Sequence, residues 1–144
     1  MGMITRRACL RLLSYSAAAL ALPAGCRNSE RFRLTPGAVL SDLRANEVLG
    51  KMRDCRLSFR SKHIEKLTER GKEALTIVQR GLIVLSLIGV EPAEFNFGVY
   101  GPQTAAAVEK LQSWGRLTLD GDHFACRELQ LLEQGLEAKL NEEE

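Results

Sequence analysis

Two turn signals cut the second half of this 144-residue chain into three apolar-periodic segments, and that division constrains the fold more than any other feature. Gly101-Pro102 puts a permissive residue before a proline suited to the first turn of a helix, where its missing N–H is harmless. Asp120-Gly121 is a strong turn dipeptide. Between them, Thr104, Val108 and Leu111 form one helical stripe, and Ala107, Leu111 and Trp114 an adjacent one. Gln103 and Thr104 fall in the first turn, where side chains can satisfy free N–H groups. Ala105 and Ala106 permit close helix approach. Beyond the second turn, Ala125, Leu129, Leu132, Leu136 and Leu140 share one face. Ahead of the first turn, Leu82-Ile83-Val84-Leu85 is apolar on all sides, and its period alone leaves helix and buried strand both open.

The start of the chain has a different character. Arg6, Arg7 and Arg11 precede an apolar stretch from Leu12 to Leu22. That stretch falls short of the about 20 apolar residues a spanning helix needs, and fits the apolar region of a secretory signal. Thr5-Arg6-Arg7-Ala8-Cys9-Leu10-Arg11 resembles a twin-arginine export signal, with Cys9 where Phe is usual. Leu22-Pro23-Ala24-Gly25-Cys26 resembles a lipobox, which implies cleavage before Cys26 and lipidation of its thiol. An ordinary signal cleaved near Ala24 is the alternative. Either reading places residues 1–25 in a signal peptide and the rest in the cell envelope or periplasm.

Charge divides along the same lines. Residues 26–72 hold twelve basic and six acidic side chains, and residues 73–144 five basic and twelve acidic, so a chain of net charge +2 contains segments of opposite sign. Residues 26–72 are expected to be a basic tether and helical connector. Thr35-Pro36-Gly37 closes the tether, and Ser41-Asp42 supplies a helix cap. Val48, Met52, Cys55 and Phe59 share a helical face, with a break between Leu57 and Ser61. A second helical pattern runs from Ser61 through Ile64 and Leu67, its middle weakened by Gly71 by about 1 kcal/mol relative to Ala. Basic residues beside a lipid anchor gain about 1 kcal/mol each at an anionic membrane surface; a solvated helix face explains them equally simply. Nucleic acid is not an expected partner, because Asp54, Glu65 and Glu69 interrupt the charge and no aromatic stacking platform is interleaved.

Residues 74–132 carry a family resemblance. Val78-Gln79, then Gly98-Val99-Tyr100-Gly101-Pro102-Gln103-Thr104, then Ala107-Val108 and Leu111-Gln112, then Leu117 and Asp120-Gly121 follow in the order and spacing of the peptidoglycan-binding domain found as an add-on module in bacterial wall hydrolases. The resemblance implies an all-α, compact three-helix domain over 73–140, with a helix rather than a strand at Leu82–Leu85; the acidic residues that follow, 141–144, read as a short tail. It also implies a ligand surface beside the start of the second helix, which falls on Gly98, Tyr100, Gly101, Gln103 and Thr104. Tyr100 would stack on a sugar face, and Gln103 and Thr104 would hydrogen-bond stem-peptide groups. Each has a structural alternative: core for Tyr100, cap for Thr104, turn geometry for the glycines. Three departures stand out: Phe97 replaces the usual Asp, the usual Gly after the second helix is replaced near Arg116, and Phe124-Ala125-Cys126-Arg127 stands where a second Gly-Pro-x-Thr is usual.

No catalytic set is recognisable. His63 and His123 lie far apart, His-Glu-x-x-His and Cys-x-x-Cys are absent, and Asp120, Asp122 and His123 fit a polar turn, so neither metal nor cofactor is expected. Once Cys9 and Cys26 are set aside, Cys55 and Cys126 are left in an oxidising compartment. Bridged, they close a loop of about 70 residues and stabilise by about 4 kcal/mol in the chain-entropy model; two separately buried thiols are the alternative. The resulting expectation is a non-catalytic envelope lipoprotein that binds peptidoglycan and is membrane-anchored through Cys26. The alternative is a protein–protein interaction module, presenting Phe95, Phe97 and Tyr100 to an envelope partner.

Overall fold

The computed structural model describes residues 34–61, 67–91 and 94–143. The export signal with Arg6 and Arg7, and the lipobox-like Cys26, lie outside the described residues. Among the described residues, five helices and one two-stranded sheet follow in the order α1 (Pro36–Ala45), α2 (Glu47–Arg53), β1 (Phe59–Arg60), α3 (Glu69–Val84), α4 (Pro102–Trp114), β2 (His123–Phe124) and α5 (Cys126–Glu143). The all-α expectation therefore holds, and the apolar run Leu82–Val84 is helical. Among the described residues no helix is long and apolar enough to cross a membrane.

The segment expected to be a tether and connector is part of the domain. Thr35 caps α1, its hydroxyl accepting the Ala38 N–H at 3.3 Å, and Pro36 opens the helix. The helix thus begins five residues before Ser41, because Thr-Pro already supplies both a cap and a fixed φ. Asn46 serves two helices. Its N–H closes α1 on the Asp42 carbonyl, and its side chain accepts the Leu49 N–H at 3.0 Å to start α2. Val39, Leu40 and Leu43 of α1 and Leu49 and Met52 of α2 are buried in the core shared with α3 and α5. Residues 34–144 form one compact unit, so no boundary falls at 72.

The single helical face expected through Val48, Met52, Cys55 and Phe59 ends early. Helix α2 stops at Arg53, Cys55 takes a left-handed conformation, and Phe59 belongs to β1. Strand β1 pairs antiparallel with β2, Phe59 opposite Phe124 and Arg60 opposite His123. Both phenyl rings are buried, with centroids 6.5 Å apart. Helix α3 starts at Glu69, capped by Thr68, so Gly71 lies in its first turn rather than its middle. The expected helix through Ile64 lies outside the described residues. On α5, Leu129, Leu132 and Leu136 are buried, as their spacing requires, and Leu140 is half-buried. Trp114, expected on a core stripe, is 54% exposed, because the buried arc of α4 is Thr104, Ala107, Val108 and Leu111.

Helices α2, α3 and α4 end alike. In each, the second residue past the cap donates its N–H back across the last turn: Arg56 to the Lys51 carbonyl, Leu87 to Leu82 and Leu117 to Gln112. The residue before it donates to Met52, Ile83 and Ser113 respectively. This is the Schellman arrangement, which needs one left-handed residue and usually takes glycine. Here the three residues are Cys55, Ser86 and Arg116, with φ of 61°, 60° and 55°. Gly115 precedes Arg116 and keeps a negative φ, so it serves a different purpose: a Cβ there would collide with the Leu131 side chain.

A disulfide joins Cys55 to Cys126, 71 positions apart. It staples the end of α2 to the start of α5. Oppositely charged residues join these and the neighbouring helices. Arg53 pairs with Glu133, Arg44 with Glu137, and the buried Arg80 of α3 with Asp42 of α1 at 2.7 Å. The acidic C-terminal helix therefore lies against the basic N-terminal pair. Two of these pairs, Arg53–Glu133 and Arg44–Glu137, set basic side chains of the 26–72 segment against acidic ones of 73–144.

Candidate functional site

Two buried glutamines organise the region of interest. Gln79 sits on the core face of α3 and is fully buried. Its amide nitrogen donates to the Val99 carbonyl at 2.8 Å and to Thr104 Oγ1 at 3.0 Å, and its oxygen accepts the Gly98 N–H at 2.9 Å. One side chain thereby fixes the loop before α4 and the first turn of α4. Gly98 has a φ of 85°, which is why this position takes glycine.

Gln112 repeats the device on α4. Its nitrogen donates to the carbonyls of Asp120 at 2.9 Å and His123 at 3.3 Å and lies 3.3 Å from Glu128 Oε2, while its oxygen accepts the Asp120 N–H at 2.8 Å. The residues that follow the two glutamines correspond at an offset of 24, although the glutamines lie 33 positions apart and the N–H groups they accept, those of Gly98 and Asp120, 22 apart. Val99 corresponds to His123, Tyr100 to Phe124, Pro102 to Cys126 as first helical residue, and Thr104 to Glu128. Ala125-Cys126-Arg127-Glu128 therefore stands where a second Gly-Pro-x-Thr would, one residue beyond the alignment expected from the sequence. Glu128 replaces the threonine, and its other oxygen accepts the Ala125 N–H at 3.0 Å.

The side chains read as ligand contacts divide. Tyr100 is buried, and its hydroxyl donates to the Gly121 carbonyl at 2.5 Å. Burial, followed by the nearby carboxylates of Asp122, Asp120 and Glu128, holds its phenol well above the ordinary value of 10.0. A sugar-stacking role for Tyr100 is thereby overturned: the ring lies in the core and joins the two turns. Thr104, 1% exposed, points to Gln79 rather than outward. Gly98 is buried, Gly101 is half-buried as the N-cap of α4, and Gln103 alone of the five presents an exposed side chain. Phe95 is buried and Phe97 half-buried, their rings edge to face at 4.9 Å, so the aromatics expected to greet a protein partner pack on each other instead.

A small cleft of about 210 Å³ remains at this place, walled by Phe95, Asn96, Val99, Gly101, Pro102, Gln103 and Thr104. Val99 is 46% exposed and forms an apolar lip; Asn96 and Gln103 bring amides able to donate and accept. The N-terminus of α4 opens here with no side-chain cap, which favours an anionic or carbonyl oxygen. The volume lies below the about 300–1,000 Å³ of typical ligand pockets, so the cleft suits a single unit of a polymer rather than a chain segment. Asn96 is a site residue that the sequence does not announce, since only its neighbours match the motif, and Val99 lies within the motif but is not among the expected ligand contacts.

The Asp120–His123 turn is structural. Asp120 Oδ1 accepts the Asp122 N–H and Asp122 Oδ1 accepts the Ser61 hydroxyl at 2.9 Å. Among the described residues no group of His, Cys, Asp and Glu is arranged to hold a metal ion. Compared with models of known families, with curated proteins and with solved structures, the chain matches none.

Proposed function

We propose that this chain is an exported, non-catalytic envelope protein, anchored through Cys26, whose helical domain binds peptidoglycan at the cleft before α4. One observation carries the reading. The loop bearing the Gly98–Thr104 motif is rigidly held by Gln79 and leaves a preformed recess with Asn96, Gln103 and an uncapped helix start around it. Amides and a helix amide end suit the acetamido and carboxylate groups of wall polymer. The Cys55–Cys126 disulfide fits an oxidising compartment, and the signal-like start supplies a route there.

Retention on purified sacculi tests this. The chain should be enriched over a heat-denatured control. Gln103→Ala should lower retention severalfold and Trp114→Ala should leave it unchanged. Retention equal to that of the denatured control sinks wall binding, and an intact mass without cleavage before Cys26 sinks the anchor. A second reading, a protein-interaction module, is favoured by the exposure of Trp114 at 54% and Leu119 at 59%. It predicts the reverse pattern, with partner capture lost in Trp114→Ala.

A further inference from the structure

The entries to α4 and α5 are alike, but only one of them is covered by the chain itself. Val99–Thr104 corresponds to His123–Glu128, and in each a buried glutamine takes the first carbonyl: Gln79 that of Val99, Gln112 that of His123. Successive residues along a strand turn their N–H and C=O to opposite sides. The backbone groups of the next residue, Phe124, accordingly face away from the glutamine, toward β1.

At α5 that outer side is occupied by residues 55–61. Cys55 is bonded to Cys126, Phe59 lies opposite Phe124 and Arg60 opposite His123, and the Ser61 N–H donates to the Asp122 carbonyl at 3.0 Å. Bonded and non-bonded pairs alternate in an antiparallel ribbon, so Phe59 and Phe124 exchange both backbone hydrogen bonds. At α4 the residue in the place of Phe124 is Tyr100. It is buried, and among the described residues nothing hydrogen-bonds to its backbone N–H or C=O. Buried backbone groups are nearly always paired, so these two call for a partner that the described residues do not supply. The entries differ in one respect: the Gly101 N–H bends back to the Val99 carbonyl at 3.1 Å. That γ-turn uses neither backbone group of Tyr100.

The cleft of about 210 Å³ opens beside this edge, with Val99 in the place of His123 and Pro102 in the place of Cys126. A segment lying on Tyr100 as β1 lies on Phe124 would set one residue against Val99, as Arg60 is set against His123. That residue's side chain would stand at the cleft, between the amides of Asn96 and Gln103.

We propose that the wall component taken at this site is the stem peptide, bound extended along Tyr100 with one of its residues in the cleft. This rests on the wall-binding reading and names the part of the polymer that is read. Peptide backbone supplies the N–H and C=O that a strand edge pairs with. A glycan strand has no alternating N–H and C=O along its backbone and cannot make that pairing.

The test uses the full exported chain and two preparations of wall: intact sacculi, and glycan strands from which an amidase has removed the peptides. Binding to the stripped strands should be weaker on the order of tenfold, since a paired residue and a filled cleft are both lost. Free stem peptide released from the same sacculi should compete for the chain. The same peptide with its backbone amides N-methylated should compete on the order of tenfold less well, because the donor to the Tyr100 carbonyl is gone. In the chain saturated with free peptide, the Tyr100 amide hydrogen should exchange on the order of tenfold more slowly. Equal binding to stripped strands, competition indifferent to N-methylation, or an unchanged Tyr100 exchange rate overturns the proposal while wall binding stands. Failure to bind intact sacculi overturns wall binding and the proposal with it.

Discussion

Replacing Gln79 by Leu should remove the fastening of the α4 entry loop while keeping the volume at that core position nearly constant. Three hydrogen bonds of 2.8 to 3.0 Å disappear. Each contributes about 1 kcal/mol net, and the buried Gly98 N–H is left without its partner at a further cost of about 1–3 kcal/mol. The leucine recovers about 1 kcal/mol through the added apolar burial. The expected net loss is about 3–5 kcal/mol, a large share of the roughly 5–15 kcal/mol typical of a domain. Urea unfolding followed by the single tryptophan, Trp114, reads it directly, with the slope unchanged and the midpoint lowered. Gln112→Leu should behave similarly, since it carries the second lock. A loss below about 1 kcal/mol at Gln79 would refute the view that one amide holds the loop.

Arg116→Gly should stabilise by about 1 kcal/mol, because an L-residue at φ of 55° carries a steric cost that glycine does not; a thermal scan showing a lower Tm would contradict the assignment of that turn. Tyr100→Phe should cost about 1 kcal/mol near neutral pH through loss of the bond to the Gly121 carbonyl. Because the folded phenol titrates above its ordinary value of 10.0, the stability it contributes is fully present below about pH 10 and declines above it. Denaturation at a series of alkaline pH values should therefore show the gap to Tyr100→Phe closing above about pH 10, and a gap that stays constant there counts against the burial of the hydroxyl. Gly121→Ala should destabilise by about 1–3 kcal/mol, since its Cβ would strike the Ala105 carbonyl and force the Glu109 side chain to shift; unchanged urea midpoints would show that the turn can move away.

Helix α4 and the leucine face of α5 are legible in the sequence because period and turn chemistry agree there: Gly101-Pro102 starts one helix, and Leu129, Leu132 and Leu136 keep their spacing in the core. The N-terminal half is less legible. Thr35-Pro36 is a sound helix start that reads equally well as the end of a tether, and Phe59 continues a helical spacing by coincidence, although its partner Phe124 comes from beyond the second turn. Pairing across such distances leaves no periodic trace in either strand. At the site, Gly98 and Gln103 keep roles compatible with their positions, whereas Tyr100 and Thr104 turn inward because the polar atoms they satisfy, the Gly121 carbonyl and Gln79 Nε2, belong to remote segments. The one signal that exposes this is a glutamine on each apolar stripe: a buried amide needs partners, and Gln79 and Gln112 each precede a turn that supplies them.

The packing of α1 on α5 has a consequence for synthesis. About 80 residues separate the end of α1 from the start of α5. At about 5–20 residues per second, α1 is complete roughly 4 to 16 seconds before the first turn of α5 is made. Val39, Leu40 and Leu43, all destined for the core, wait through that interval without the helix that helps cover them. Cys55 waits as well, since its partner lies in the same late helix. The core is thus most vulnerable at α1 during synthesis, and α5, made later than the helices it covers, is the element that ends the exposure.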